Sequence, residues 1–188
     1  MPLTFHVHPV QPADVLAFWF GQATSGRWFA ADAAFDGLIR SRFADTLAAA
    51  RRCELQPWRA DAFGRLAEII VLDQFARNLH RGTPDAWAGD ALALALAQEA
   101  VAGGALAALD EDQRAFLLMP YMHSESAVVH GQAERLFREH ASARSFDYEL
   151  RHKAIIDRFG RYPHRNAILG RPSSAAELAF LQQPGSSF

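Results

Sequence analysis

The segment DAFGRLAEIIVLDQFARNL, residues 61–79, decides the fold that we expect for this chain. Its apolar side chains recur at helical spacing and would cover nearly every side of a helix; they are Phe63, Leu66, Ile69, Ile70, Leu72 and Phe75. A helix that is apolar almost all the way round is buried on several sides. We therefore predict a central helix with other helices packed around it.

Helix signals recur on both sides of this segment. Pro12 opens a short helix that Gly21 ends, Asp32 is placed as an N-cap, and Ser174 with Glu177 forms a capping box. With the central segment, eight helices are expected, covering residues 15–20, 32–47, 61–79, 83–103, 110–119, 124–142, 146–159 and 174–181. We find no alternating run bounded by a hairpin turn and no fixed repeat period. The prediction is an all-α protein of about eight helices in antiparallel pairs.

Length and composition favour one domain over residues 1–188, because 188 residues that are 50% apolar suffice for one sizeable core. The single cysteine, Cys53, excludes an internal disulfide framework and suits a reducing compartment. The first ten residues lack the pattern of a signal peptide, and the longest apolar run, 91–97, is far shorter than a bilayer requires. We expect a cytoplasmic protein without a membrane partner, and no pattern selects an oligomeric state.

Residues 151–171 form a cationic stretch in an otherwise acidic chain. They contain six Lys and Arg and two His against the single carboxylate of Asp157. The rest of the chain has 13 Lys and Arg against 20 Asp and Glu. These cations therefore either pair with carboxylates of the same chain or bind an external anion. A chain of pI about 6.4 with one basic stretch is not expected to bind nucleic acid.

Several motifs resemble a known bacterial family. The motifs are FWFG at 18–21, WF at 28–29, LDQFARN at 72–78 with RGT at 81–83, FLLMPYMHSE at 116–125, and RFGRYPHRN at 158–166 with LGR at 169–171. Together they resemble the bacterial family named domain of unknown function 924 along nearly the whole chain. The resemblance implies an all-helical, tetratricopeptide-like fold and implies no activity. The chain departs from the family pattern at Ala76, where Pro is usual, and at Ala176. Because Ala76 replaces a residue that breaks helices, the central helix is expected to run further here.

Asp73 and Arg77 are the first candidate pair. They are four residues apart in the central helix, and Asp73 has apolar neighbours, so its carboxylate needs a partner. We predict an internal ion pair, joined by a cation of the C-terminal stretch. His152 lies on a mostly apolar helix face with Tyr148 and Ile155. It is either a hydrogen-bonded core histidine or a proton carrier.

The loop 161–166 holds several donors between Gly160 and Gly170. Arginine offers a planar fork that suits a carboxylate or a phosphate, so the arginines would form an anion clamp with His164 if they converged. The alternative is that they bind Asp and Glu of the same chain. The candidate binding residues are Arg77, Arg81, His123, His152, Arg158, Arg161, His164, Arg165 and Asn166.

Metal and cofactor motifs are weak or missing. Glu149 and His152 form a Glu-x-x-His motif, but a di-iron site needs a second copy, and the sequence has none. We predict no metal and no cofactor, since no phosphate loop, nucleophile elbow or dinucleotide fingerprint occurs.

Two functions follow from these observations. The favoured one is a helical binding module whose cationic groove takes an acidic peptide or a small anion. The other is an enzyme for a small phosphorylated or carboxylated metabolite, in which Arg158, Arg161 and Arg165 hold the anion and His152 or His164 moves a proton.

Overall fold

The computed structural model describes residues 9–187 of the chain. Most of the N-terminal stretch used above to judge a signal peptide, residues 1–8, lies outside the described part. The described helices are α1 (Pro12–Trp19), α2 (Gln22–Ser25), α3 (Ala33–Arg51), α4 (Ala62–Ile70, Val71–Phe75 and Ala76–Leu79), α5 (Asp90–Ala102), α6 (Glu111–Met122), α7 (Ala127–His140), α8 (Ala143–Phe159) and α9 (Ala175–Leu181). Four 3₁₀ turns, Gln56–Ala60, Pro84–Ala86, Ala105–Ala108 and Pro163–Arg165, connect them. No strand occurs in residues 9–187, so the predicted all-α class is confirmed.

Helix α4 is the centre of the fold, as its sequence predicts. It starts where Asp61 accepts a hydrogen bond from the Gly64 amide at 2.8 Å. From Leu66 to Phe75 its apolar side chains are fully buried. Helices α1, α3, α5 and α6 all pack against it. The core is therefore built around one helix that has almost no solvent-facing side.

A π-helical turn, Val71–Phe75, interrupts α4 in its middle. The turn contains two polar residues, Asp73 and Gln74, and both are buried. A π turn adds one residue to the helical repeat and so rotates the following side chains around the axis; such turns are frequent at functional sites. The helix continues through Ala76 to Leu79, in agreement with the expectation that Ala76 removes a break. The π turn thus places two polar side chains in the buried middle of α4.

Aromatic rings fill the main core. The Trp19 ring lies 5.5 Å from Phe75, 5.5 Å from Phe116 and 6.0 Å from Phe35, between ring centroids. A second, smaller apolar cluster contains Ile155, Ile156 and Tyr162 near the C-terminus. The Tyr162 hydroxyl donates to the Met122 carbonyl and so ties the small cluster to the main core. No helix in residues 9–187 has the length and apolar character required to cross a bilayer.

Several predicted helix ends are present in the structure. Asp32 accepts from the amides of Ala34 and Phe35 at 2.9 and 3.0 Å. Gly160 ends α8 in the left-handed region at φ 69°, which glycine adopts without steric cost. Ser174 and Glu177 form the predicted capping box at the start of α9.

The helix expected at 83–103 starts later than predicted. Thr83 and Pro84 open only a 3₁₀ turn, and α5 begins at Asp90 after Gly89. The cause is a tertiary contact, because a Cβ at Gly89 would lie 2.9 Å from the Leu72 carbonyl oxygen of α4. The chain at Gly89 is thus held too close to the central helix for a side chain. The late start places Asp90 in the first turn of α5.

Other boundaries differ by a few residues. Helix α6 runs to Met122 with Pro120 inside it, three residues beyond the predicted end. Helices α7 and α8 begin after the N-caps Ser126 and Ser142 rather than at 124 and 146. The short helix α2 and the 3₁₀ turns were not predicted. Because only Ala141 and Ser142 separate α7 from α8, these two helices pack as antiparallel neighbours.

The close contact at the start of α4 gives a test of this packing. A Cβ at Gly64 would lie 1.8 Å from the Trp58 carbonyl oxygen, which is backbone and cannot rotate away. We expect Gly64→Ala to lower the free energy of unfolding by about 3 kcal/mol or more. Gly131 of α7 is the control, because nothing lies within 4 Å of a Cβ there and Gly131→Ala should stabilise by about 0.5–1 kcal/mol. Equal urea midpoints for the two variants would contradict the contact.

Candidate functional site

Five parts of the fold bring charged and aromatic side chains together beside the π turn. Helix α4 supplies Asp73 and Arg77, α5 supplies Asp90, the end of α6 supplies His123, α8 supplies His152, and the segment around the last 3₁₀ turn supplies Tyr162, His164 and Arg165. We call these eight residues the central cluster. It contains five of the nine candidate binding residues: Arg77, His123, His152, His164 and Arg165.

Asp73 is the buried anion of the central cluster. Its side chain is 1% exposed and contacts Arg77 Nη1 at 2.9 Å, His123 Nδ1 at 2.7 Å and Gln74 Nε2 at 2.6 Å. Burial raises the pKa of the Asp73 carboxyl, but Arg77 and His123 together outweigh burial and hold that pKa well below its usual value. Asp73 is therefore ionised at neutral pH and only accepts hydrogen bonds.

The ionised Asp73 fixes the tautomer of His123. Burial, together with the nearby charge of Arg77, lowers the pKa of His123, so its imidazole is neutral at neutral pH. A neutral imidazole bonded to a carboxylate at 2.7 Å donates the Nδ1 proton, which leaves the lone pair on Nε2. The side chain is 15% exposed, and residues 9–187 provide no hydrogen bond to Nε2. His123 therefore presents a basic nitrogen at the edge of the cluster.

Two aspartates and two arginines alternate across the cluster. Arg77 binds Asp90 through both Nη atoms at 2.9 and 3.0 Å in addition to Asp73. Arg165 donates to Asp90 at 3.3 Å and to the His123 carbonyl at 3.2 Å, both long for a charged donor. The four formal charges balance. The cluster is thus neutral when its histidines are neutral.

Arg165 has fewer hydrogen bonds than its burial requires. The residue is 7% exposed, and its buried Nε atom has no hydrogen-bond partner in the described part of the chain. The rings of Tyr162 and Trp87 lie on its guanidinium, with centroids 4.6 and 5.4 Å from Cζ. Burial lowers the pKa of Arg165, because a charged group loses its hydration there. Arg165 is an incompletely satisfied buried cation.

His152 and His164 are also neutral. His152 Nδ1 donates to the Tyr148 carbonyl at 2.7 Å, and its ring centroid lies 6.4 Å from that of His123. Burial lowers the pKa of His152 to about 3. Burial and the charge of Arg165 lower the pKa of His164 to about 4. Three neutral imidazoles therefore belong to the same cluster as Arg165.

The remaining four candidate residues have partners outside the cluster. Arg161 binds Glu177 at 2.7 and 2.8 Å, and Arg81 binds Asp36 at 3.0 Å. The Arg158 guanidinium lies over the Phe159 and Phe180 rings. Asn166 is buried and accepts from Arg171, which also donates to Glu125 and to the Tyr162 carbonyl. The structure does not bring Arg158, Arg161 and Arg165 together, because Arg158 and Arg161 pack toward α9 and only Arg165 points into the cluster.

The sequence did not point to two residues of the central cluster, Asp90 and Tyr162, or to Gln74 and Trp87, which contact its members Asp73 and Arg165. Asp90 was not selected as a candidate, because the helix at 83–103 was expected to begin earlier. Asp90 would then have been a surface residue in the middle of that helix. Tyr162 was not among the candidate residues. The signal available in the sequence was Gly89 immediately before an acidic helix start.

The side chains of Glu149 and His152, which form the Glu-x-x-His motif, do not converge on a common site. Glu149 Oε1 contacts His130 Nδ1 at 2.8 Å, and both side chains are fully buried, whereas His152 bonds to its own helix. Burial raises the pKa of Glu149. The Tyr162 hydroxyl lies 3.2 Å from His130 Nε2. No group of three or more His, Cys, Asp and Glu side chains in residues 9–187 is arranged to hold a metal ion.

The fold and this cluster define an all-helical protein with a buried charge network at the centre of its core helix. The model of the family described as bacterial protein of unknown function (DUF924) matches residues 15–185, and the chain belongs to that family. A solved structure of a protein of unknown function from Agrobacterium tumefaciens is similar, with 38% identity and a TM-score of 0.87 over 91% of this chain and 96% of that chain. No curated protein matches the chain.

The role of Asp73 can be measured by substitution. Asp73→Ala removes a buried charge from between Arg77 and His123 and should lower the free energy of unfolding by about 3–5 kcal/mol. Asp73→Asn keeps an acceptor and the volume, so its loss should be smaller. Asp147→Ala is the control, because the Asp147–Arg151 pair is exposed and should contribute at most about 1 kcal/mol. Similar losses for Asp73→Ala and Asp147→Ala in urea melts would contradict a buried network.

The neutral histidines predict a specific acid lability. The unfolded chain binds protons at His152 and His164 below their usual pKa of 6.5, whereas the folded chain does not until about pH 3 and 4. Stability should therefore fall as pH falls from 6.5 to 4, by up to about 1.4 kcal/mol per pH unit for each group. His152→Gln should make this slope shallower, and substitution of the half-exposed His140 should not. Parallel profiles of wild type and His152→Gln in urea melts would contradict the assignment.

Proposed function

We propose that this protein binds a small anionic ligand, a carboxylate or a phosphate ester, at the central cluster. The observation that carries the proposal is Arg165, a residue 93% removed from solvent whose Nε has no hydrogen-bond partner in residues 9–187 and whose Nη bonds are 3.2–3.3 Å long. A buried guanidinium is normally fully hydrogen-bonded, since each unmet donor costs free energy. An anion that replaces the long contacts would supply what Arg165 lacks.

The aromatic rings on Arg165 suit this role. Tyr162 and Trp87 hold the guanidinium plane in one orientation, and a planar fork in a fixed orientation favours a carboxylate or a phosphate oxygen pair. The neutral imidazoles of His123 and His152 already donate their single proton to Asp73 and to the Tyr148 carbonyl, so they can donate to an anion only after taking up a second proton. This set of groups resembles a small-ligand site more than a surface for a chain.

An acidic peptide is the weaker candidate. A peptide groove would use the exposed arginines along the C-terminal region, but Arg161 and Arg171 are bound to Glu177 and Glu125. Arg81 is likewise bound to Asp36. Binding several acidic side chains would require breaking these pairs one by one. We also propose a reducing, cytoplasmic location, which rests on the single cysteine, the exposed Cys53.

Phosphate is the probe for this proposal. At matched ionic strength, phosphate should raise the melting temperature of the wild type more than chloride does, since a ligand of the native state stabilises it by mass action. Arg165→Gln should remove this difference, because it removes the cation and keeps much of the volume. Arg151→Ala is the matched control, since it removes an arginine of the same cationic stretch that lies in an exposed pair with Asp147, and it should keep the full difference.

Phosphate also stabilises proteins generally through exclusion from their surface, and that part should be the same in all three proteins. The proposal fails if Arg165→Gln responds to phosphate as the wild type does. It fails equally if Arg151→Ala loses the response, because the effect would then not belong to the central cluster.

A further inference from the structure

The geometry points to His123 as a general base that Asp73 orients, acting on a small substrate that loses a proton while Arg165 holds its anionic group. This inference goes beyond binding, and its choice of substrate rests on the anion site proposed above. It also differs from the expectation from sequence, in which His152 or His164 moved the proton.

The first support is the contact between Asp73 and His123. A carboxylate that accepts the Nδ1 proton at 2.7 Å holds the ring in one orientation and stabilises the imidazolium that forms when Nε2 takes a proton. Asp73 itself is held by Arg77 at 2.9 Å and by Gln74 at 2.6 Å. The base is therefore oriented by a residue that cannot move independently of the core helix.

The second support is access. Asp73 is 1% exposed, whereas the His123 side chain is 15% exposed at the end of α6. Its Nδ1 edge faces the buried carboxylate, so the opposite edge with Nε2 is the one available to a substrate. Asp73, which contacts this ring at Nδ1, lies in the π turn of α4, and such turns are frequent at functional sites.

The third support is the comparison of His123 with two other buried histidines, His130 and His152. His130 is fully buried between Glu149 and the Ser124 carbonyl, so both of its nitrogens are engaged. His152 bonds to the Tyr148 carbonyl of its own helix, a contact that adds no negative charge to stabilise an imidazolium. His123 combines a carboxylate on one nitrogen with partial exposure. General bases of this kind contribute about 10²–10⁴ to a rate.

The groups that face His123 set the chemistry of the step. Asp73 and Arg77 come from α4, Asp90 from α5, His152 from α8, and His164 and Arg165 from the last turn. A proton leaves a C–H or O–H bond of the substrate for Nε2, and the electron pair stays on the substrate. The imidazolium pairs with Asp73, and the new negative charge lies on the side of Arg165.

A neutral probe separates this inference from the anion site. The base-catalysed opening of 5-nitrobenzisoxazole needs only proton removal from carbon: the base takes the C–H proton, the electron pair forms the nitrile, and the N–O bond breaks to give a coloured phenolate. We expect wild type to accelerate this reaction about a hundredfold more than His123→Gln, the lower end for a general base. His140→Gln, which removes a histidine outside the cluster, should keep the wild-type rate. Circular dichroism and urea melts of each variant establish that it is folded.

Asp73 is a positioning residue, and its test is the tautomer. Nitrogen-15 NMR of the wild type should show His123 with its proton on Nδ1, and Asp73→Asn should lose both this preference and most of the probe rate. A role limited to stability would lower the melting temperature and leave the tautomer unchanged. Equal probe rates for wild type and His123→Gln overturn the inference, as does a wild-type His123 protonated on Nε2. Loss of the phosphate effect alone would remove the proposed ligand and leave the base intact, because the probe has no anionic group.

Discussion

A carboxylate buried in the central helix of the core is the constraint on which the rest of the structure depends. Asp73 lies in a segment whose neighbours are fully buried, and it stays ionised because Arg77 and His123 contact it. A buried charge without partners would cost several kcal/mol. The ends of α6 and α5 must therefore stay where His123 and Asp90 meet this carboxylate and its arginine.

The same requirement explains the last part of the chain. Arg165 reaches the cluster because residues 160–171 contact the end of α6 and the residues that follow it, and that path is fixed by separate contacts. Glu125 accepts from the Tyr162 amide and from Arg171, and Glu177 holds Arg161. The arginines of the cationic stretch thus have different roles. Arg161 and Arg171 anchor the loop, which leaves Arg165 as the cation placed in the core.

The sequence was informative wherever a local rule decided the structure. Spacing and side-chain chemistry predict the buried helix at residues 61–79, the Asp32 cap and the helix end at Gly160. The same signals predict the all-α class. The pairing of Asp73 with Arg77 also follows from an i, i+4 spacing. Local rules of this kind do not predict contacts between distant segments. His123 is 50 residues from Asp73, and the Gly89–Leu72 contact that delays α5 is tertiary.

Arg161 and Arg165 show the same limit within a single loop. They are four residues apart with the same side chain, and composition alone gives both the same candidate role. The 3₁₀ turn Pro163–Arg165 sends the second arginine inward while the first remains beside α9. Whether an arginine binds a ligand or a carboxylate of its own chain is decided by which partners the fold places nearby.

Charge balance in the central cluster links binding to protonation. Two arginines already face two aspartates, so an added anion leaves the cluster with an excess negative charge. Burial has lowered the pKa values of His123, His152 and His164, and a nearby anion raises the pKa of any group that it contacts. An anion bound at Arg165 and a proton on a neighbouring imidazole therefore favour each other, and by linkage the effect is equal in both directions. The three neutral histidines thus give the cluster a means of taking up negative charge, whether that charge arrives with a ligand or develops on a substrate as it loses a proton.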